Sequence, residues 1–259
     1  MIPVPTIAGT IERRLLLNYR VEGEVIARLL PSPFRPQLIQ GMAVAGICMI
    51  RLGHLRPCGL PGAIGLTTEN AAHRIAVEWD TADGPCHGVY IPRRDTSSRL
   101  TVLAGGRLFP GEQHRARFTV RETEQRFEVA FTSIDGAVHV GVAARLASGL
   151  LPGSVFPSAE AASRFFEESP LGYSATKDDG RLEALELECE GWSAEPLAVE
   201  HAESSYFEDE SLFPKGSVQF DSALVMRDIP TRWRARTELA GSQEPSAPRT
   251  NSAQAALSW

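Results

Sequence analysis

Strand-forming segments recur along this chain from residue 11 to residue 226, and so many strands would leave open sheet edges unless the sheet closes on itself. In residues 72–79, His73, Ile75, Val77 and Trp79 alternate with Arg74, Ala76 and Glu78, the period of two of a half-buried strand. Residues 41–50 form a continuous apolar run, short and flanked by breakers, and read as a buried strand. Further strands are predicted over residues 11–20, 88–91, 100–104, 115–121, 126–132, 138–145 and 218–226, with a turn at Asp135-Gly136. Leu185, Leu187 and Cys189 alternate with Glu186, Glu188 and Glu190, giving a strand with one acidic face turned to water. The expectation is a mainly β (α+β) fold built on one closed or strongly curved, mostly antiparallel sheet.

Two helices are predicted outside that sheet. Residues 21–30 place Val21, Val25, Ile26 and Leu29 on one face before Pro31, Pro33 and Pro36 stop the helix. Residues 159–168 follow Ser158, a good N-cap, carry Glu160 in the first turn and close at Ser169-Pro170. No Pro/Gly linker and no internal repeat divides the chain, so residues 1–238 are expected to form a single domain. Residues 239–259, rich in Ala, Ser and Pro without periodicity, are expected to be a disordered tail.

Charge narrows the partners. The net charge of -6 argues against nucleic acid, which needs a run of cations to neutralise phosphates. The charge is uneven: residues 1–60 hold seven Arg against three Glu, and residues 181–210 hold one Arg against ten acids. Two solvated faces explain this, and so does docking of one copy on another, a possible homo-oligomer that salt would loosen. The apolar run 41–50 is half the ~20 residues a membrane helix requires, so no membrane partner is expected. Pro3, Pro5 and Gly9 break any signal-peptide core, and Cys48, Cys58, Cys86 and Cys189 show no CxxC pair. These features predict a cytoplasmic protein with reduced thiols.

Familiar chemical motifs are missing: no GxGxxG, Walker A, GxSxG or HExxH occurs. The six histidines lack ligand spacing, so neither a metal nor an organic cofactor is expected. With 24 of the 26 basic residues being arginine, only Lys177 and Lys215 offer an amine.

The stretches NYRVEGEVIARLLPSPFRP, TTENAAHRIAVEW, HGVYIPRRDTSS and SSYFEDESLFPKGSVQFDSALVMRDIPTRW, in this order over residues 11–236, resemble the domain-of-unknown-function family 2071. That family is related to acetoacetate decarboxylase. The resemblance implies a cone-shaped β-barrel around a cavity for a small carbonyl or carboxylate compound. The decarboxylase works through a Schiff-base lysine, which the resemblance aligns with Gly111 in Gly106-Arg107-Leu108-Phe109-Pro110-Gly111-Glu112; glycine has no amine. Thr68-Glu69 resembles the dipeptide that opens a strand on the cavity wall of the decarboxylase, while the second cavity glutamate has no match in residues 41–50.

Glu69 and His114 are therefore the catalytic candidates, for acid/base chemistry on a small keto acid, ketone or lactone. Arg107, His87, Asn70 and Tyr90 are the substrate-binding candidates, Arg107 through its two-pronged guanidinium. Each has an ordinary alternative: Glu69 as a solvated turn residue, the histidines as packed or exposed, Arg107 as a surface cation. Lys215 in Phe213-Pro214-Lys215-Gly216 reads as part of a turn and Lys177 as a loop residue. A non-catalytic ligand-binding or interaction module on the same fold is the alternative to an enzyme.

Overall fold

A computed structural model describes residues 6–61, 65–104, 111–176 and 181–240. The chain is mostly strand: β1 Ile7–Glu22, β2 Arg35–Pro36, β3 Leu38–Ile39, β4 Met42–Pro57, β5 Leu66–Thr81, β6 Gly84–Thr96, β7 Gln113–Glu122, β8 Arg126–Ser133, β9 His139–Leu146, β10 Leu171–Ala175, β11 Arg181–Cys189, β12 Glu195–Ser204 and β13 Val218–Ala240. The described helices are α1 Gly23–Ala27, α2 Arg99–Ala104 and α3 Ala159–Glu167.

Strand pairing runs in two circuits that share β13, β1, β4, β5 and β6. One continues from β6 through β10 and β11 back to β13; the other continues through β7, β8, β9 and β12 back to β13. The circuits part because two long strands change partner along their length. In β6, Val89 and Tyr90 pair with β10, whereas Arg94 to Thr96 pair with β7. In β13, Ala223 to Val225 pair with β12, whereas Thr231 to Ala240 pair with β11. Between those halves Asp228 adopts φ 55°, a left-handed kink that aspartate tolerates better than most residues. The β10–β6 and β6–β7 pairings are parallel and the remaining ones antiparallel.

Because alternate residues of a strand face opposite ways, each shared strand serves both circuits. Leu15, Leu17, Ile47, Met49, Ile75 and Val77 pack with Phe127, Phe131, Phe207 and Phe213 in one core. Leu16, Cys48 and Ala76, from the other face, join Phe156, Phe166, Leu185 and Trp233 in a second. β5 is thus buried on both faces over most of residues 72–79, not half-buried as its alternation predicts.

Other expectations need correction. The helix predicted over 21–30 shrinks to α1, since Val21 is still in β1, paired with Val218 and Ala43. Residues 100–104 lie in α2, not a strand: the Ser98 hydroxyl accepts from Thr101 N at 3.1 Å, an N-cap that decides a short apolar run otherwise neutral between the two forms. β10 and β12 were not predicted; Gly172 and the mixed sequence EPLAVEHAES mask their periodicity. α3 starts where expected, with Ser158 Oγ accepting from Ala161 N. The acidic face of β11 reaches solvent as expected, and there Glu188 pairs with Arg234 and Glu190 with Arg232, at 3.2 and 3.0 Å, and Glu186 with Arg236 on neighbouring β13. β13 runs to Ala240, past the boundary placed at 238; the rest of the expected tail lies outside the described residues.

Candidate functional site

The first circuit surrounds a cavity of about 290 Å³, and each of its seven strands contributes to the wall. Arg14 comes from β1, Cys48 and Ile50 from β4, Asn70, Ala72 and Arg74 from β5, Ile91 and Arg94 from β6, Gly172 from β10, Leu187 and Cys189 from β11, and Trp233 from β13. Phe166 and Glu167 of α3 and the adjoining Trp192 complete it. The volume lies near the lower end of the roughly 300–1,000 Å³ of small-molecule pockets, so any occupant is small.

Register places the chemical groups. Across β1, β4, β5 and β6, Leu16, Cys48, Ala72 and Arg94 stand in one row. The row on one side holds Arg14, Ile50 and Asn70, and the row on the other holds Asn18, Gly46 and Arg74. The thiol of Cys48 is therefore flanked by guanidiniums in its own row and in both neighbouring rows. Arg14 Nε donates to Cys48 Sγ at 3.2 Å, and the same guanidinium lies 5.7 Å from the Trp192 ring centre. Arg94 Nε donates to Ser174 Oγ at 3.2 Å. Gly46 leaves the space that Arg74 uses: a Cβ there would sit 3.3 Å from Arg74 Nη2 and collide with the Leu17 carbonyl.

Arg74 is the anomaly. It is only 3% exposed, its Nη2 donates to Asn18 Oδ1, and its Nε and Nη1 have no partner. The Phe166 ring covers the guanidinium at 4.3 Å, but stacking uses the face and leaves the in-plane N–H donors without an acceptor. Burial pulls the Arg74 pKa down to about 9; Cys48 opposes that pull, and Arg14 adds a lesser share to it. Burial likewise lowers Arg94 to about 10, with Cys48 and Glu183 opposing. Among the described residues, no carboxylate forms an ion pair with Arg14, Arg74 or Arg94. Arg74 and Arg94 remain cationic at neutral pH; of the acids on the same wall, Asp95 is taken by Arg93 at 3.0 Å and Glu167 forms no ion pair with the three arginines.

Of the sequence candidates among the described residues, Asn70 alone reaches the cavity wall. Asn70 lines the cavity, accepting from Thr96 Oγ1 at 2.7 Å and donating to Thr68 Oγ1 at 2.9 Å. Glu69, one residue earlier, points to the opposite face. There it accepts from Arg13 and Arg51, each at 2.6 Å, and Glu122 pairs with the same two arginines. His114 Nδ1 lies 3.1 Å from Asp135, away from the cavity. His87 is exposed, and Tyr90 is buried beside Phe34 in the first core. Arg107 and Lys177 lie outside the described residues. Lys215 is exposed in a turn closed by Ser217 N to Pro214 O at 2.9 Å.

Gly111 adopts φ 76°, and a side chain there would begin 2.5 Å from Ser174 Cβ. Its N–H donates to Glu183 at 3.1 Å. The residues missed in the sequence are Arg14, Arg74, Arg94 and Cys48. One signal was available: Arg74 interrupts the flanking apolar positions of β5, where a cation must be buried. Among the described residues, no group of three His, Cys, Asp or Glu side chains could hold a metal ion, and no helix is long and apolar enough to cross a membrane.

Comparison with known proteins agrees with this architecture. The model of the domain-of-unknown-function family 2071, described as an uncharacterized conserved protein, matches residues 9–226. Acetoacetate decarboxylase from Legionella pneumophila superposes with a TM-score of 0.57 at 12% identity, over 92% of this chain and 88% of that one. The enduracididine biosynthesis enzyme MppR, solved with pyruvate, gives 0.54 at 13% identity over 92% and 91%. An acetoacetate decarboxylase-like enzyme from Sphingomonas wittichii RW1 gives 0.55 at 11% identity over 93% and 94%. No curated protein matches in sequence.

Proposed function

The chain belongs to the domain-of-unknown-function family 2071, on the acetoacetate decarboxylase-like fold, and from that premise we propose that its cavity binds a small organic carboxylate. The observation that carries this reading is Arg74, a buried guanidinium with two donors unmet. Isolated buried charge is costly, and an arriving anion relieves that cost while forming the charge-assisted bonds the protein leaves open. Arg14 and Arg94 add charge of the same sign to the same small space. The circuit of seven strands reads as a closed cone, with α3 and Trp192 contributing to its cavity wall. A relative of this fold has been solved with pyruvate, a carboxylate of fitting size.

Among the described residues no lysine lines the cavity, and position 111 is a glycine packed on Ser174. Chemistry in this cavity, on a keto acid or lactone, therefore proceeds without a Schiff base. Recognition of the carboxylate is assigned to Arg14, Arg74 and Arg94. Glu69, neutralised by two arginines on the other face, serves the fold.

Calorimetric titration with pyruvate and acetoacetate tests the reading. Saturable binding that is lost in Arg94→Met, with no adduct after borohydride treatment, is the expected result. Absence of binding by either acid, or equal binding of uncharged acetone, overturns it.

A further inference from the structure

The three arginines leave one other feature unexplained, the thiol at their centre. Cys48 lines the cavity, and its Sγ accepts a hydrogen bond from Arg14. Arg94 stands in its row of the sheet beyond Ala72, a small residue that leaves the path between them open. Arg74, with unmet donors, occupies the next row. An anion held by these guanidiniums rests against the sulfur. The other described thiols differ: Cys58 is exposed, Cys86 is half-buried outside the cavity wall, and Cys189, on the same wall, accepts no hydrogen bond from Arg14 and is pushed up by burial, which Arg14 only partly offsets.

We infer that Cys48 is a nucleophile selective for small carboxylates that bear an electrophilic carbon next to the carboxylate, such as 2-haloacids. This inference rests on the carboxylate-binding reading of the same cavity. In the reaction, the sulfur attacks the carbon, an S–C bond forms, and the carbon–halogen bond breaks. Halide departs with the bonding pair, and the thiol proton passes to solvent water. The arginines hold the carboxylate and exchange nothing. Their contribution is local concentration and aim, which neutral electrophiles of the same size do not receive.

The intact protein offers its own reference thiol, Cys58. Alkylation by iodoacetate and by iodoacetamide is followed at both cysteines by peptide mass mapping. The expected result is an iodoacetate-to-iodoacetamide rate ratio at Cys48 at least about tenfold above the ratio at Cys58. Pyruvate should slow the Cys48 reaction and leave Cys58 unchanged. Arg74→Met should lower the Cys48 rate with iodoacetate and spare its rate with iodoacetamide, and Cys48→Ser should remove the adduct.

Equal ratios at the two thiols, no modification of Cys48 by either reagent, or no protection by bound pyruvate would each overturn the inference. Calorimetry on the same samples separates the two ideas. Pyruvate binding without selective alkylation removes the nucleophile and keeps the carboxylate site; loss of both removes both.

Discussion

The two faces of β1, β4 and β5 put arginine to opposite uses. On one face the buried Arg13 and the partly exposed Arg51 share Glu69 and Glu122, so each cation has its anion within the protein. On the other, one residue along each strand or nearby, Arg14 and Arg74 face a cavity, and no acid among the described residues forms an ion pair with either. The strands, burial and residue type are alike, and only the counter-charge differs. A paired buried arginine holds the fold together, whereas an unpaired one at a cavity wall is a demand that a ligand can meet. His73, on the paired face, takes a third course: with neither ring nitrogen bonded, burial and Arg93 hold its pKa down to about 3, so it stays neutral.

The largest effect expected from this contrast comes from breaking the paired cluster. Arg13→Met should lower unfolding free energy by about 4 kcal/mol, because it strands Glu69 and Glu122 with one arginine between them. Urea denaturation measures this, and pyruvate affinity of the remaining folded protein should not change. A stability loss under about 1 kcal/mol would show that the cluster is not the structural element described here.

Next in size is a pH effect. A histidine whose folded pKa lies below its unfolded value contributes stability that is complete above about pH 6.5 and declines as pH falls toward 3. At up to about 1.4 kcal/mol per pH unit, the wild type should lose roughly 3 kcal/mol more than His73→Phe between pH 7 and pH 4. Parallel stability curves for the two proteins would contradict the buried, neutral state of His73.

Arg74→Met sharpens the comparison from the cavity side. Loss of one charge-assisted contact should weaken pyruvate binding by about 2 kcal/mol, roughly thirtyfold. Stability should hold or rise, since an apolar chain of similar volume replaces an uncompensated charge. Should Arg74→Met destabilise the protein as much as Arg13→Met, the distinction between the two faces collapses.

The smallest effect belongs to the exposed ladder between β11 and β13. Arg234→Ala, which removes the solvent-exposed partner of Glu188, should change stability by about 0.5 kcal/mol or less. A larger loss in thermal unfolding would give these surface pairs a weight that their exposure argues against.

Much of the fold was legible because periodicity is a local property. The runs around residues 11–20, 126–132 and 138–145 announce strands, and Ser158 announces α3, since a side chain and a backbone N–H three residues apart decide a cap. Residues 100–104 were misread because a run of five mostly apolar residues suits a strand or a helix equally, and the Ser98 cap tips the balance. Position 111 was also readable: a glycine has no amine in any fold. Glu69 and Asn70 mark the limit. Both are polar and adjacent at the start of β5, and a period of two says that they face opposite ways without saying which way the cavity lies.

The sequence by itself therefore determined a β-rich chain with a missing lysine and an excess of arginine, because composition and alternation are written residue by residue. Only the tertiary structure decided that Arg14, Arg74 and Arg94 meet around Cys48 while Arg13 and Arg51 meet acids. That assignment depends on the register between strands distant in sequence and on where β6 and β13 exchange partners. A shift of one residue in that register would exchange the two faces, and with them which arginines are neutralised and which await an anion.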